Sequence, residues 1–168
     1  MFVRFERSKI YFRKRKAVIA CPNSCSGCRI CQMICSITHE GAIDIERSRI
    51  QVTSDPFKGA SSITVCRQCH DAPCFYACPE SAIEFDKTNG TIIINEERCN
   101  GCRMCEKTCP YNAILFSEEG MAYKCDFCGG NPECVDWCPM NTLGISVRAQ
   151  WYQFYTRSNI GHNNEWYH

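Results

Sequence analysis

Short apolar runs alternate with turn residues along most of this chain. The segment AIEFDKTNGTIIINEERC has apolar residues on both sides of Thr88-Asn89-Gly90, and Asn-Gly is a strong signal for a tight turn between two strands. The segment AILFSEEGMAYKC has the same form around residues 118–120, and AIDIERSRIQV has it around residues 46–48. The pattern therefore predicts three short β-hairpins.

The cysteine content changes this picture of a small hairpin protein. The chain has 168 residues and 17 cysteines, and an odd count would leave one thiol unpaired in a secreted disulfide scaffold. Residues 1–20 lack the apolar segment and the cleavage site of a secretory signal, and no apolar run reaches the length of about 18 residues that a membrane span needs. We therefore expect a cytoplasmic protein whose thiols bind metal.

Sixteen of the cysteines fall into four groups of four with related spacing. The first and third groups follow C-x2-C-x2-C-x3-C, and the second and fourth have a longer middle gap. We call these groups quartets 1 to 4, and they are Cys25, Cys28, Cys31 and Cys35; Cys66, Cys69, Cys74 and Cys78; Cys99, Cys102, Cys105 and Cys109; and Cys125, Cys128, Cys134 and Cys138. Proline follows the last cysteine of quartets 2, 3 and 4, whereas Ser36 takes that place in quartet 1.

This spacing has a physical reason. Two residues between ligands let the chain curl so that three sulfurs converge on one cubane cluster, and Gly27 and Gly101 permit a close backbone approach. The fourth cysteine lies one helical turn further on, and in bacterial ferredoxins it ligates the other cluster of a pair. Zinc sites also use C-x2-C, but without third and fourth cysteines at fixed offsets. The quartets therefore predict [4Fe-4S] clusters, with short helical turns after each third cysteine, for example at 104–108.

Cys21 remains outside the quartets. Together with Cys25 and Cys28 it forms C-x3-C-x2-C, the spacing of radical S-adenosylmethionine enzymes. The same residues overlap quartet 1, and the chain is short for the barrel that such enzymes need. We therefore interpret Cys21 as a thiol that binds no cluster: it either lies free or next to a cluster ligand, or is a small, partly buried residue with no role, which is the favoured interpretation.

Charge and aromatic residues single out the two ends of the chain. The formal charge of +1 would become about −7 with sixteen thiolates and four cluster cores bound. Seven of the nineteen Lys and Arg lie in residues 1–16, a block too short and too rich in aromatics to predict nucleic-acid binding. Residues 146–168 contain six aromatics and no cysteine. Both segments are candidates for docking to a partner, with ordinary packing over the cluster domain as the alternative.

Residues 21–143 resemble the four-cluster ferredoxin-type subunits of multi-subunit oxidoreductases. The resemblance lies in CSGCRICQMICSITHEGAIDIERSRIQV, CRQCHDAPCFYACPESAI, CNGCRMCEKTCPYNAI and KCDFCGGNPECVDWCPMNTL. The compact last motif is similar to that of small partners of tungsten aldehyde ferredoxin oxidoreductase-like enzymes and of carbon monoxide dehydrogenase ferredoxin-like subunits. The family implies an α+β, tandem bacterial-ferredoxin-like fold over residues 17–145. Its two interleaved dicluster halves would be 17–60 plus 118–145, with quartets 1 and 4, and 61–117, with quartets 2 and 3.

The resemblance also implies how the sixteen ligands are shared among four [4Fe-4S] clusters. Each cluster would take three cysteines from one quartet and the last from its partner quartet. We call the four implied ligand sets site I (Cys25, Cys28, Cys31 and Cys138), site II (Cys66, Cys69, Cys74 and Cys109), site III (Cys99, Cys102, Cys105 and Cys78) and site IV (Cys125, Cys128, Cys134 and Cys35).

Catalytic groups are scarce in this sequence. All sixteen patterned cysteines are used as ligands, and no Ser/His/Asp array, phosphate loop or dinucleotide fingerprint occurs. The histidines are scattered, at His39, His70, His162 and His168, and His70 adjoins Cys69, where it either tunes a cluster potential or faces solvent. We therefore expect a non-catalytic electron-transfer subunit.

The resemblance names the expected partners of such a subunit. It would relay electrons between a larger catalytic metalloenzyme subunit and ferredoxin or another carrier. A tungsten or molybdenum aldehyde oxidoreductase-like subunit is favoured, and carbon monoxide dehydrogenase, formate dehydrogenase and hydrogenase are alternatives. These enzymes indicate an anaerobic setting. A freestanding polyferredoxin is the alternative within the same class.

Overall fold

The computed structural model describes residues 15–21, 24–55, 57 and 60–147. The terminal segments predicted at 1–16 and 146–168 therefore lie outside the described residues, except for two residues at the inner end of each. In the described part, short strands and short α-helices alternate, which agrees with the predicted α+β class. The strands are β1 (Lys16–Ala20), β2 (Ile50–Asp55), β3 (Ala60–Val65), β4 (Ile83–Asp86), β5 (Thr91–Ile94), β6 (Leu115–Phe116), β7 (Ala122–Tyr123) and β8 (Leu143–Val147). The helices are α1 (Ile30–Glu40), α2 (Pro73–Ala77), α3 (Met104–Thr108) and α4 (Glu133–Asp136), with 3-10 turns at Glu96–Arg98 and Phe127–Gly130.

Every sheet formed by the described residues has two antiparallel strands. Strand β2 pairs with β3, β4 with β5, and β6 with β7, while β1 pairs with β8 from the far end of the chain. Two of the three predicted hairpins are confirmed, since β4–β5 encloses 88–90 and β6–β7 encloses 118–120. In the β4–β5 turn, the Asp86 carboxylate accepts the Thr88 N–H at 2.8 Å, and Gly90 adopts a φ of 72°.

The hairpin predicted around residues 46–48 is wrong. Residues 42–45 form no strand, and β2 pairs instead with β3, across residues 56–59. The Asp44 carboxylate accepts the N–H groups of Glu46 and Arg47 at 3.0 and 3.4 Å, which closes a local turn. An Asx turn of this kind satisfies the backbone donors that a strand ladder would use.

Each α-helix begins one residue before the third cysteine of a quartet, and the helix at Met104–Thr108 has the predicted bounds. Helices α2, α3 and α4 end before the fourth cysteine, which Pro79, Pro110 and Pro139 follow. Proline removes an N–H donor and cannot continue a helix, so these three helices stay within five residues.

Helix α1 is longer because quartet 1 lacks this proline. It has 11 residues and continues past Cys35 to a left-handed glycine, Gly41, with a φ of 73°. Ser36 is fully buried inside the helix, where its hydroxyl donates to the Met33 carbonyl at 2.9 Å and accepts the Asp44 N–H at 3.0 Å. The serine therefore fixes the loop that leaves the helix.

Buried side chains form two separate hydrophobic cores. The first core contains cysteines of quartets 1 and 4 among Val18, Ile50, Val52, Val65, Phe127 and Leu143. The second contains cysteines of quartets 2 and 3 among Ala72, Ile83, Ile92, Ile114 and Ala122. Helix α1 packs on α4 beside the first core, and α2 packs on α3 beside the second. The partner quartets are thus close in space even though quartets 1 and 4 are far apart in the sequence.

None of the described helices has the length and apolar character needed to cross a membrane, since the longest is α1 with 11 residues.

Candidate metal centres

The four cysteines of site III surround one cavity. The cavity has a volume of about 330 Å³, including its part open to solvent, and Cys78, Cys99, Cys102 and Cys105 all line it. Ile83, Ile94 and Phe116 supply an apolar wall. Burial raises the pKa of the Cys105 thiol, and the charges of Cys78 and Cys99 raise it further.

A second cavity, of about 370 Å³ on the same measure, is lined by all four cysteines of site II: Cys66, Cys69, Cys74 and Cys109. Burial raises the pKa of the Cys74 thiol to about 12. The Lys124 ammonium opposes that shift, whereas the charges of the other three thiols add to it. Gln68 and Lys124 also line this cavity.

The cysteines of sites I and IV meet in the first core. Burial raises the pKa of Cys31 to about 11, and the charges of Cys25, Cys28 and Cys138 raise it further. The same groups are the other three members of site I. Burial likewise raises the pKa of Cys134, followed by the charges of Cys125, Cys128 and Cys35, the other members of site IV, and then by the charge of Cys31 of site I.

Sites II and IV adjoin each other. Burial raises the pKa of Cys125 to about 12, and the next largest cause is the charge of Cys66, which belongs to site II. Cys66 also packs against the first core, so the two cores meet where quartets 2 and 4 begin.

The thiols of each set are not close enough together for three of them to hold a single metal ion, although the ligand atoms of His39, Asp126 and Cys128 lie within 4.8 Å of one another. In the part of the chain that the structure describes, which includes all seventeen cysteines, no three sulfurs lie within 4.8 Å of one another. A tetrahedral zinc ion with bonds of 2.3 Å would bring its sulfurs to about 3.8 Å from one another. The same residues form no disulfide. At sites II and III, four thiols around a larger cavity fit a cubane cluster better than either alternative.

Backbone N–H groups donate to the sulfur of each fourth cysteine. In quartets 2, 3 and 4 the donor lies four residues further on, with N···S distances of 3.3 to 3.5 Å from Ala82 to Cys78, from Ala113 to Cys109, and from Thr142 to Cys138. In quartet 1 the helix continues through that position, and Arg49 donates to Cys35 from the following loop at 3.3 Å. Such donors stabilise negative charge on the sulfur, so all four fourth cysteines are suited to act as thiolate ligands.

One predicted ligand in each of two sites is exposed to solvent. Cys28 of site I and Cys102 of site III are exposed, whereas the other fourteen patterned cysteines are buried or half-buried. Sites I and III are thus the most accessible from outside.

His39 lies beside a predicted ligand, Cys128, although no sequence motif places it there. Its Nε2 is 3.6 Å from the Cys128 sulfur and 3.5 Å from the Asp126 carboxylate, which also accepts a hydrogen bond of 2.9 Å from Arg49. Burial lowers the pKa of His39, and the positive charge of Arg49 lowers it further. His70 is half-buried next to Cys69, while His162 and His168 lie outside the described residues.

Three buried polar residues in the described region were also missed. Gln68 and Lys124 are each 2% exposed at the junction of the cores, and Arg15 is 3% exposed. Arg15 belongs to the segment predicted to dock, but it donates to the Cys69 carbonyl and its guanidinium lies 5.5 Å from the centre of the Phe85 ring. Most of their contacts join residues far apart in the sequence. The one local sign of such a role was the charge of Lys124 next to Cys125.

Cys21 lies at the end of β1, outside the four sets. Its N–H donates to the Thr142 carbonyl at 2.9 Å, its sulfur is 3.9 Å from the Ser24 hydroxyl, and it is half-buried. These contacts agree with a thiol that has a packing role.

Comparisons with known proteins agree with this chemistry. Residues 60–148 match a family described as a 4Fe-4S dicluster domain. A polyferredoxin-like subunit of an aliphatic sulfonate oxidoreductase from Pyrococcus furiosus is 41% identical over 127 residues, covering 75% of this chain and 73% of that protein. The electron transport protein HydN of Escherichia coli is 34% identical over 154 residues, covering 75% of this chain and 85% of HydN.

A third relative is much longer than this chain. The beta subunit of an NADH-dependent phenylglyoxylate dehydrogenase from Aromatoleum evansii is 39% identical over 136 residues, covering 78% of this chain but 30% of that subunit. The first two relatives are named as a polyferredoxin-like subunit and an electron transport protein, which agrees with the expectation of an electron-transfer subunit. The chain therefore belongs to the 4Fe-4S dicluster domain family and is a ferredoxin-type electron-transfer protein.

Proposed function

We propose that this chain is an electron-transfer subunit that carries four [4Fe-4S] clusters, bound at sites I to IV. The observation that carries the proposal is the grouping of the thiols. At sites II and III all four cysteines line one cavity, and at sites I and IV the members of each set raise the pKa of one central thiol. In each set, three cysteines come from one quartet and the fourth from its partner.

The proposed domain covers residues 17–145 and consists of two interleaved dicluster halves. One half is 17–60 plus 118–145, and the other is 61–117. Two features support this division: the separate hydrophobic cores, and the packing of α1 on α4 and of α2 on α3. Strand β8 extends to Val147, so the first half would include the end of that strand.

The residues of this chain would hold each cluster, exclude water from it and stabilise its charge. A [4Fe-4S] cluster supplies reversible uptake of one electron. Apolar walls such as Ile83 and Phe116 limit access of water, and the N–H donors to the fourth cysteines offset part of the negative charge. Electrons would enter and leave where ligands are exposed, near Cys28 of site I and Cys102 of site III.

The proposed partner is a larger catalytic metalloenzyme subunit, with ferredoxin or another carrier at the other end of the relay. The name of the Pyrococcus furiosus relative supports a catalytic oxidoreductase as partner. We favour a tungsten or molybdenum aldehyde oxidoreductase-like subunit acting in the cytoplasm. Docking would use segments 1–16 and 146–168, of which Arg15 is buried and so would contribute packing.

Anaerobic purification with metal analysis tests this function. We expect about sixteen iron and sixteen sulfide per chain, since each of four cubanes contains four of each. Cys25→Ser should lose or convert one cluster, whereas the matched change Cys21→Ser should leave the iron content unchanged. Eight iron, stoichiometric zinc, or equal damage from both substitutions would contradict the ligand assignment.

Mass spectrometry of the chains that co-purify under native conditions tests the partner. A large chain containing tungsten or molybdenum is expected. Full iron content with no co-purifying chain would favour the freestanding polyferredoxin.

A further inference from the structure

Lys124 is a buried cation at the junction of the two cores. It immediately precedes Cys125 of site IV, yet its side chain lines the cavity of site II. Its exposed fraction is 2%. A lysine so placed is unusual, because burying an ammonium group without compensation is costly.

The hydrogen bonds of Lys124 hold its charge in a fixed position. Its Nζ donates to the carbonyl of Ile92, on β5, and to the carbonyl of Cys125 at 3.2 Å. The side-chain amide of Gln68 donates to the same two carbonyls, at 3.3 and 3.0 Å, and accepts the Ile92 N–H at 2.7 Å. Gln68 and Lys124 thus form a polar clamp between the second core and quartet 4.

Two neutral carbonyls do not balance a positive charge. Within the described residues, no carboxylate lies within ion-pair distance of Lys124, although Arg47, Arg49 and Arg98 each have one. The thiolates of site II line the same cavity as Lys124 and are candidates for the missing negative charge. The Lys124 charge is the second largest influence on the pKa of Cys74 in site II and a lesser one on the pKa of Cys125 in site IV. A cluster with four thiolate ligands is a net anion, so it would supply the counter-charge that the protein lacks at this position.

We propose that Lys124 is a fixed positive charge that raises the reduction potential of the cluster at site II. An electron in the protein would then be stabilised at the junction of the two halves. This inference rests on the proposed function, because it requires a cluster at site II. Reduction adds one negative charge to the cluster, and a cation held nearby in a region of low dielectric stabilises the reduced form more than the oxidised form. Site II adjoins site IV through Cys66 and Cys125. The stabilised electron would therefore occupy the cluster from which it passes to the other half.

Lys107 provides a matched control. It lies two residues from each of two predicted ligands, Cys105 and Cys109, but it is exposed on α3. Solvent and salt screen an exposed charge far more than a buried one. The same substitution at both lysines therefore separates a buried charge from a charge that is only near in sequence.

The experiment is a redox titration of the iron-loaded full chain with dithionite, monitored by electron paramagnetic resonance and visible absorbance. The proteins compared are the wild type, Lys124→Met, Lys124→Arg and Lys107→Met. We expect Lys124→Met to keep its iron and to shift the midpoint of one cluster to more negative potential. Lys124→Arg and Lys107→Met should remain close to the wild type.

Other results would overturn the proposal. Unchanged midpoint potentials in Lys124→Met, or an equal shift of all clusters, would each do so. A shift in Lys124→Arg as large as that in Lys124→Met would do so too, because it would mean that the packing of the side chain, and not its charge, sets the potential. If Lys124→Met does not retain iron, Lys124→Gln, which keeps N–H donors for the two carbonyls, is judged by the same criteria, and loss of iron there too would assign Lys124 to folding and overturn the proposal. A wild-type chain with fewer than four clusters would instead contradict the proposed function.

Discussion

Replacing Gly101 with alanine should destabilise the loaded protein more than the same change at Gly41, although the two glycines have nearly the same backbone conformation. The φ angle is +71° at Gly101 and +73° at Gly41. A Cβ at Gly101 would lie 2.6 Å from the Gly120 carbonyl oxygen, whereas a Cβ at Gly41 would meet nothing within 4 Å. Gly41→Ala therefore measures the cost of the left-handed backbone alone, and the difference between the variants measures the contact.

The magnitude follows from these two contributions. A left-handed alanine costs about 1–2 kcal/mol, and this applies to both positions. At Gly101 the opposing atom belongs to the backbone of the β6–β7 turn, where the Gly120 N–H is bonded to the Ser117 carbonyl at 2.9 Å, so the turn itself must shift. Overpacking of this kind costs typically about 1–3 kcal/mol. The shift would also disturb the bond of 3.5 Å from the Ala122 N–H to the Cys99 sulfur.

The assay is the rate at which visible cluster absorbance is lost in denaturant with an iron chelator, under anaerobic conditions. Because unfolding releases the turn, the added strain should appear as faster unfolding. An extra 1–3 kcal/mol corresponds to a rate roughly 5- to 140-fold higher for Gly101→Ala than for Gly41→Ala, if all of it appears in that rate. Equal rates for the two variants would refute the reasoning.

A substitution and a deletion test two further features. Ser36→Pro should lower the free energy of unfolding by about 3 kcal/mol, because it breaks α1 and removes the hydrogen bonds that the hydroxyl makes with Met33 and Asp44. The control Pro110→Ser should have little effect. Similar denaturation midpoints for the two variants would contradict this account of α1. Deletion of residues 150–168 should preserve the iron content and abolish co-purification with the catalytic partner, and unchanged association after removal of both 1–14 and 150–168 would leave a freestanding ferredoxin as the better interpretation.

Local signals in the sequence predicted much of the local structure. Asn89-Gly90 located the β4–β5 hairpin, and the cysteine spacing located the helix at Met104–Thr108. Neither signal extends beyond about ten residues. The β1–β8 pair joins residues 16–20 to 143–147, and no local pattern specifies which distant strand completes such a ladder. The hairpin predicted around residues 46–48 is absent because the Asp44 side chain binds backbone N–H groups that a strand ladder would use, despite the alternating apolar pattern.

The candidate metal sites could likewise be predicted only in part from the sequence. The sixteen ligands are predicted from a spacing that four quartets repeat, and their sharing among four clusters is implied by a family resemblance, not by the spacing; both stay predictions. The residues that surround the thiols could not be predicted, since His39 approaches Cys128 across 89 positions and Lys124 reaches Ile92 across 32. Such contacts depend on how the cores pack against each other.

The pairing of β1 with β8 has a consequence for how such a unit can be combined with other chains. Lys16 lies opposite Val147 in this ladder, so the chain enters and leaves the described structure at adjacent points of one sheet edge. A module whose entry and exit are neighbours can be inserted into a surface loop of a host protein without forcing the host's two loop ends apart. The unit could thus be fused to another chain at either end. A circular permutant in which residues 16 and 147 are joined would need only a short linker.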